Sequence, residues 1–345
     1  MKLGIIGKAG AGRRTIFQAL TRLEIDGAQL FESQVGTVSV PDERLAALSR
    51  IYRPKKTTYA QVAYFLPARL SGEATESAKM QNMWNQVREC DALIEVVRNF
   101  SLYGDDPPQP AEDFISMDQE LILSDLMAVE KRLERIAKDR QRGKASLAEE
   151  QALLDRCREV LENEQPLRLF DDLATAPALR GFAFLSAKPM LVLISNPEEE
   201  EAAPEVPGLT DSLNCIVIRG LIEKELAQMA PEDAAEYQAV FGIEQPAAER
   251  VIRRSYDLLG LISFFTVGED EVKAWTIRSG TPAAEAAGVI HSDMQKGFIR
   301  AEVLAYGDLM AAGRYAEARK QGTVRLEGKT YVVQDGDLMQ IRFNV

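Results

Sequence analysis

Leu3-Gly4-Ile5-Ile6-Gly7-Lys8-Ala9-Gly10-Ala11-Gly12-Arg13-Arg14-Thr15-Ile16-Phe17-Gln18-Ala19-Leu20 reads as a short apolar strand, a glycine-rich turn and the start of a helix. Such a turn exposes backbone N–H groups at the positive end of the helix, and together these attract phosphate. A working phosphate loop has the form G-x-x-x-x-G-K-[ST], with the Lys on the β- and γ-phosphates and the hydroxyl on Mg²⁺. The spacing of Gly7 and Gly12 meets that form, but Arg13 stands at the Lys position, Arg14 at the hydroxyl position, and Thr15 comes one residue late. Arg13 keeps the charge on a bulkier planar fork. Arg14 puts a cation where Mg²⁺ would sit, and two unit charges about 4 Å apart repel by roughly 4 kcal/mol at an effective dielectric of 20. Two arginines at a helix N-terminus also oppose the helix dipole, at about 0.3–1 kcal/mol each unless an anion is bound. Two readings of the turn stay open: a vestigial glycine turn, or an anion or nucleotide site without ordinary metal chemistry. The spacing does not meet the dinucleotide form G-x-G-x-x-G.

Outward from this turn, Val62–Leu66, Ala92–Val97, Met190–Ile194 and Ile216–Ile218 repeat the continuous apolar character of the first strand. Strands buried on both faces of a parallel sheet have that character, and the gaps between them are long enough for crossover helices. The middle of the chain breaks the rhythm. Ile122, Leu126, Val129, Leu133 and Ile136 step by four and three residues, and Leu147, Leu154, Cys157 and Leu161 continue the period beyond the polar turn Arg140–Lys144. That spacing predicts two antiparallel amphipathic helices with a narrow seam. Glu198 to Glu201 form an acidic loop. Near Leu259 the character changes again: the last 87 residues carry 10 Lys+Arg and 11 Asp+Glu, against 31 and 42 in the rest. There Met339, Ile341, Phe343 and Val345 alternate with polar residues and predict a half-buried strand. Tyr331–Val333 predicts another before the Asp335-Gly336 turn.

The net charge of −12 argues against a chain that coats DNA or RNA by bulk positive charge. Cys90, Cys157 and Cys215 are too scattered for a disulfide framework or a zinc site and read as buried small hydrophobes. His291, the single histidine, leaves few parts for a histidine-based triad and reads as structural. The sequence has no signal-peptide pattern and no run of eighteen apolar residues, so a cytoplasmic location without a membrane partner is expected.

The run Leu261-Ile262-Ser263-Phe264-Phe265-Thr266-Val267-Gly268-Glu269-Asp270-Glu271-Val272-Lys273-Ala274-Trp275 resembles the YchF family of Obg-like ATPases. So do Ala287–Asp293, Gly297–Glu302 and the ending Tyr331–Asp337 through Arg342–Val345. Weaker matches at Val40–Leu45, Arg88–Ala92 and Val129–Leu133 extend the resemblance over essentially the whole chain. It implies an α/β fold: a mostly parallel sheet of P-loop NTPase type over 1–118 and 188–256, an inserted helical coiled-coil arm over 119–187, and a C-terminal ubiquitin-like (β-grasp, TGS) domain over 259–345.

The family hydrolyses ATP in preference to GTP and reads the base with N-x-x-E, which Asn196-Pro197-Glu198-Glu199 matches. Asn196 and Glu199 are therefore carried over as base contacts, and Gly7, Gly10, Gly12, Arg13, Arg14 and Thr15 as phosphate contacts. The family's D-x-A-G segment falls on Phe65-Leu66-Pro67-Ala68, its switch threonine on Leu30, and its purine-bracing loop on Arg219-Gly220-Leu221. With these motifs gone, no catalytic residue and no metal ligand is assigned. ATP or GTP is the candidate ligand, bound weakly or not at all, and Mg²⁺ is not expected. The resemblance implies ribosome and translation-factor partners met through the arm and the TGS domain, where Arg278, Lys296, Arg300, Arg314, Arg319, Lys320, Arg325 and Lys329 are candidate RNA contacts; no DNA is expected. Three roles stay open: a hydrolysis-deficient regulator, an ATPase or GTPase rebuilt around arginines, or an interaction scaffold.

Overall fold

The computed structural model describes residues 1–26, 28–70, 75–101, 104, 106–142, 148–206, 209 and 214–344. The chain forms β1 (Lys2–Ile6), α1 (Arg13–Thr21), β2 (Gln34–Ser39), α2 (Glu43–Tyr52), β3 (Lys56–Thr58), β4 (Gln61–Leu66), α3 (Glu76–Val87) and β5 (Ala92–Arg98). Next come α4 (Pro110–Gln141), α5 (Ala148–Glu162), α6 (Asp171–Ala174), β6 (Met190–Ser195), β7 (Cys215–Ile218), α7 (Gly220–Gln228), α8 (Pro231–Val240) and α9 (Ala247–Leu258). The remainder holds β8 (Leu261–Val267), β9 (Glu271–Arg278), α10 (Ala283–Ile290), α11 (Ser292–Lys296), β10 (Phe298–Ala305), α12 (Tyr306–Ala312), α13 (Tyr315–Lys320), β11 (Arg325–Glu327) and β12 (Asp337–Phe343). Two compact units divide these elements: Met1–Gly36 with Ala63–Val251, and Thr37–Val62 with Ile252–Val345.

In the first sheet the strand order is β2-β4-β1-β5-β6-β7. β4, β1, β5, β6 and β7 pair in parallel, as their unbroken apolar character requires. Trp84 and Val87 of α3 and Met117 and Leu121 of α4 close over Leu93 and Val97 of β5 in one core. β2 and β3, which the apolar runs do not announce, are edge strands with one buried residue between them.

The helical seam forms as the spacing requires. Ile122, Val129 and Ile136 of α4 meet Leu154, Cys157 and Leu161 of α5, with Leu126 and Leu133 at its margin. Leu147 and the Gly143-Lys144 part of the turn lie outside the described residues. Asp125, on the same helix and fully buried, accepts hydrogen bonds from the backbone N–H groups of Leu185 (3.0 Å) and Ser186 (2.6 Å), which fixes the middle of α4 on the segment before β6.

The second sheet runs β11-β10-β12-β8-β9-β3. A parallel β12–β8 pair lies between the antiparallel β10–β12 and β8–β9 pairs, and Ala283, Ala286 and Ala287 of α10 pack with Phe264, Val303 and Met339 beneath it. This is the mixed β-grasp arrangement. Tyr331–Val333 is not a strand: only Val332 makes a bridge, to Pro282. The pairing is confined to that bridge, with the Ala283 N–H donating to the Tyr331 carbonyl and the Val333 N–H to the Thr281 carbonyl, while the Tyr331 hydroxyl and the Gln334 N–H both donate to Asp337. β12 forms as expected, while Val345 lies outside the described residues. His291 has a structural task, its Nδ1 accepting from the Asp293 N–H at the start of α11. All three cysteines are free thiols, two of them buried.

Candidate functional site

β1 leads into Gly7, whose φ of +144° and close approach to β5 both demand glycine: a Cβ would lie 2.5 Å from the Val96 carbonyl oxygen. Gly10 and Gly12 are left-handed, at φ 79° and 91°. The Ala11 N–H donates to the Lys8 carbonyl (3.3 Å) and closes the loop, and the Ile16 N–H donates to the Gly12 carbonyl (3.0 Å) to begin α1. The first-turn N–H groups of α1 therefore lack intrahelical partners and point their partial positive charge out of the loop. No side chain caps them.

A cleft of about 470 Å³ opens beside this turn. Gly10, Gly12 and Thr15 line it together with Phe100 and Ser101 after β5, Ser195 at the end of β6 and Asn196 to Glu199 after it, and Gly220 and Leu221 after β7. Each contribution comes from the C-terminal end of a parallel strand, where open α/β sheets place their ligands. The geometry thus joins the expected phosphate loop to both expected base residues. Asn196 is 4 % exposed, and its amide is already engaged: Nδ2 donates to the carbonyls of Glu200 (3.1 Å) and Ala202 (2.7 Å), and Oδ1 accepts from Asn99 (2.9 Å). It shapes the loop that carries Glu199, which is exposed. Phe100, Ser101 and Ser195 escaped the motif reading; their signal in the sequence was position alone, at or just past the end of an apolar run.

Gly7, Arg13 and Arg14 are not among the residues lining the cleft. Arg13 turns inward, its Nη1 2.8 Å from the Met83 Sδ of α3. Burial, and then the charge of Arg69, pull its pKa down to about 10. Arg14 is lowered by the same two causes in the same order. Arg69 follows Ala68, whose N–H donates to the Gln86 side chain and whose carbonyl accepts from Asn82 and Gln86 on α3. Three arginines therefore gather beside the glycine turn. Phe65, at the family's Asp position, is 7 % exposed and serves the core, with the Lys2 ammonium 4.8 Å from its ring centroid. Leu30 lies in a one-turn 3₁₀ segment, Ala28–Phe31. Gly220 opens α7, and a Cβ there would stand 3.2 Å from Ile16 and 3.4 Å from the Ser195 hydroxyl, so α1 and α7 approach closely behind the cleft. Among the described residues no group of three or more His, Cys, Asp or Glu is placed to hold a metal ion, and no helix is long and apolar enough to cross a membrane.

Comparison with known proteins agrees with this architecture. The family model YchF-GTPase_C, described as a protein of unknown function (DUF933), matches residues 261–344. The Ribosome-binding ATPase YchF of Bacillus subtilis (strain 168) is 36 % identical over 361 residues, covering 99 % of each chain. That of Escherichia coli O157:H7 is 34 % identical over 362 residues, covering 100 % of this chain and 99 % of the other. The Obg-like ATPase 1 of Oryza sativa subsp. japonica is 31 % identical, covering 100 % and 92 %. The solved structure of the Schizosaccharomyces pombe YchF GTPase superposes with a TM-score of 0.85 at 29 % identity, over 99 % of this chain and 97 % of that one. With full-length relatives above 30 % identity, the chain belongs to the YchF family of Obg-like ATPases.

Proposed function

We propose that this YchF-family chain is a ribosome-associated regulator that holds the phosphates of ATP or GTP on Gly10–Thr15 without Mg²⁺ and has lost ordinary hydrolysis. The observation that carries the reading is the arginine cluster. Arg13 and Arg14 stand where a lysine and a metal-binding hydroxyl are expected, the charge of Arg69 opposes both, and none of the three has an ion-pair partner among the described residues. A polyphosphate seated on the loop offsets this positive charge, which lies beside the cleft and not in its lining. The donor set argues against Mg²⁺, since the first turn of α1 offers arginines and buried Phe65 stands where the family has a carboxylate. Ribosome association is proposed because relatives of full length carry that name. The division into a nucleotide domain, an inserted arm over 119–187 and a TGS domain is proposed on the same basis.

Isothermal titration of ATP, ADP and GTP, with Mg²⁺ and then with EDTA, tests the reading. Binding that survives EDTA is expected, without steady-state phosphate release. Mg²⁺-dependent turnover abolished by Arg14→Ala would overturn it. No heat with any nucleotide would leave a scaffold, a role with which the internally spent Asn196 amide accords. Co-sedimentation with ribosomes at rising salt tests the partner.

A further inference from the structure

Lys8 is the one lysine in the glycine turn, and the structure does not leave it idle. It follows Gly7 directly, is partly exposed, and its Nζ lies 2.9 Å from Asp113 Oδ1 in the first turn of α4. The usual phosphate cation of such a loop sits at the position of Arg13, which here has turned inward to Met83. The loop thus has an ammonium one residue past its first glycine, outside the cleft lining and held off by a carboxylate that belongs to the long helix leading to the α4–α5 hairpin.

Resting on the nucleotide reading above, we infer that Lys8 is the phosphate-contacting ammonium of this site, and that Asp113 holds it in reserve, so that nucleotide binding releases the first turn of α4. Three features support the exchange. An ion pair between partly exposed side chains is a weak clasp, whereas an ammonium on a phosphate inside a ring of N–H donors is a charge-assisted contact. Asp113 does not depend on Lys8 for its own stability, because it and Glu112 sit at the N-terminal turn of α4, where the helix dipole favours acids. The seat behind it is polar and incompletely bonded. Glu95 of β5 is 1 % exposed with Oε2 unpartnered, and the Asp118–Arg168 ion pair leaves Asp118 Oδ1 and Arg168 Nη1 buried without partners. Ala111 and Phe114 of the first turns are only partly buried against the core that takes up Met117 and Leu121 fully. The turn ahead of Met117 is therefore the less deeply anchored part of the helix, and the movement starts at the root of the hairpin.

The exchange predicts opposite effects from the two partners. In titrations of ATP and ADP into the full chain, Asp113→Asn is expected to bind about fivefold tighter than wild type, Lys8→Gln about fivefold weaker, and the double variant like Lys8→Gln, with Lys8→Arg restoring much of the loss. Hydrogen exchange across 110–116 is expected to speed up in wild type when nucleotide is added, and to be fast with or without it in Asp113→Asn. If wild type and both single variants bind equally, or if the exchange of α4 ignores nucleotide, the inference falls while the nucleotide reading stands. If neither wild type nor Asp113→Asn binds any nucleotide, both fall. Binding seen only in Asp113→Asn would support the reserve outright.

Discussion

Replacing Asp125 by Ala gives the sharpest test of how the long helix is held. Its carboxylate is fully buried and accepts from two backbone N–H groups, of Leu185 at 3.0 Å and Ser186 at 2.6 Å. Arg88 lies 3.6 Å away and keeps two other partners, the Ala183 carbonyl and the Ser124 hydroxyl. Truncation therefore orphans two buried donors rather than a charge, at about 1–3 kcal/mol each. Part of this is offset by relief of the carboxylate's own burial, which pushes its pKa above the ordinary aspartate value despite those hydrogen bonds. The net expectation is about 3 kcal/mol, or a fall in Tm of about 6–12 °C for a unit of this size. Asp125→Asn retains one acceptor and is expected to lose less. Urea unfolding followed by far-UV circular dichroism measures both. A loss under about 1 kcal/mol for Ala at unchanged m-value, or a greater loss for Asn than for Ala, would refute the reasoning.

Glu95 is pushed well above the ordinary 4.5 of a glutamate, by burial and then by Asp118, so the native state binds its proton more tightly than the unfolded chain. Stability must then fall as pH rises past the unfolded value, and Glu95→Gln is expected to flatten that slope and to be the more stable chain at pH 7, as read by urea midpoints at pH 5 and 7. Glu302 goes the other way: burial alone would raise its pKa, but hydrogen bonds from Arg342 and Tyr315 and the charge of Arg319 outweigh it and hold the carboxyl below the ordinary range. Its contribution is present above the unfolded value and lost on acidification. Glu302→Gln should remove about 1–2 kcal/mol at neutral pH, a figure kept small because Arg319 and Arg342 are more than half exposed, and acid titrations of the two chains should converge. Gly297→Ala would drive a Cβ into the Asn344 carbonyl, where Asn344 N–H and Gly297 carbonyl are bonded at 2.9 Å. A loss of about 1–3 kcal/mol in thermal unfolding is expected.

Much of the sheet was legible because strands buried on both faces leave unbroken apolar runs: five such runs became β1, β4, β5, β6 and β7. β2 and β3 left no such trace, since edge strands need not be apolar. Tyr331–Val333 misled for the opposite reason. Its residues suit a strand, but their partner segment 281–283 allows a single bridge before the Asp337 turn begins, and the length of a partner is invisible to periodicity. At the cleft, the glycine turn and the family resemblance supplied Gly10, Gly12 and Thr15, and the N-x-x-E match added Asn196 and Glu199. Spacing was blind to Phe100, Ser101 and Ser195, which belong to the site only because their strands end side by side.

From residue order alone came the parallel sheet, the helical seam, the glycine turn and the family, because local geometry and apolar periodicity are written along the chain. Direction was left to the fold. Whether Arg13 faces a phosphate or Met83, whether the Asn196 amide is free or spent, and which carboxylate holds Lys8 depend on what packs beside each side chain. Met83 is 70 residues from Arg13 and Asp113 is 105 from Lys8, so only the closed sheet, with α3 and α4 laid across it, brings those partners within reach.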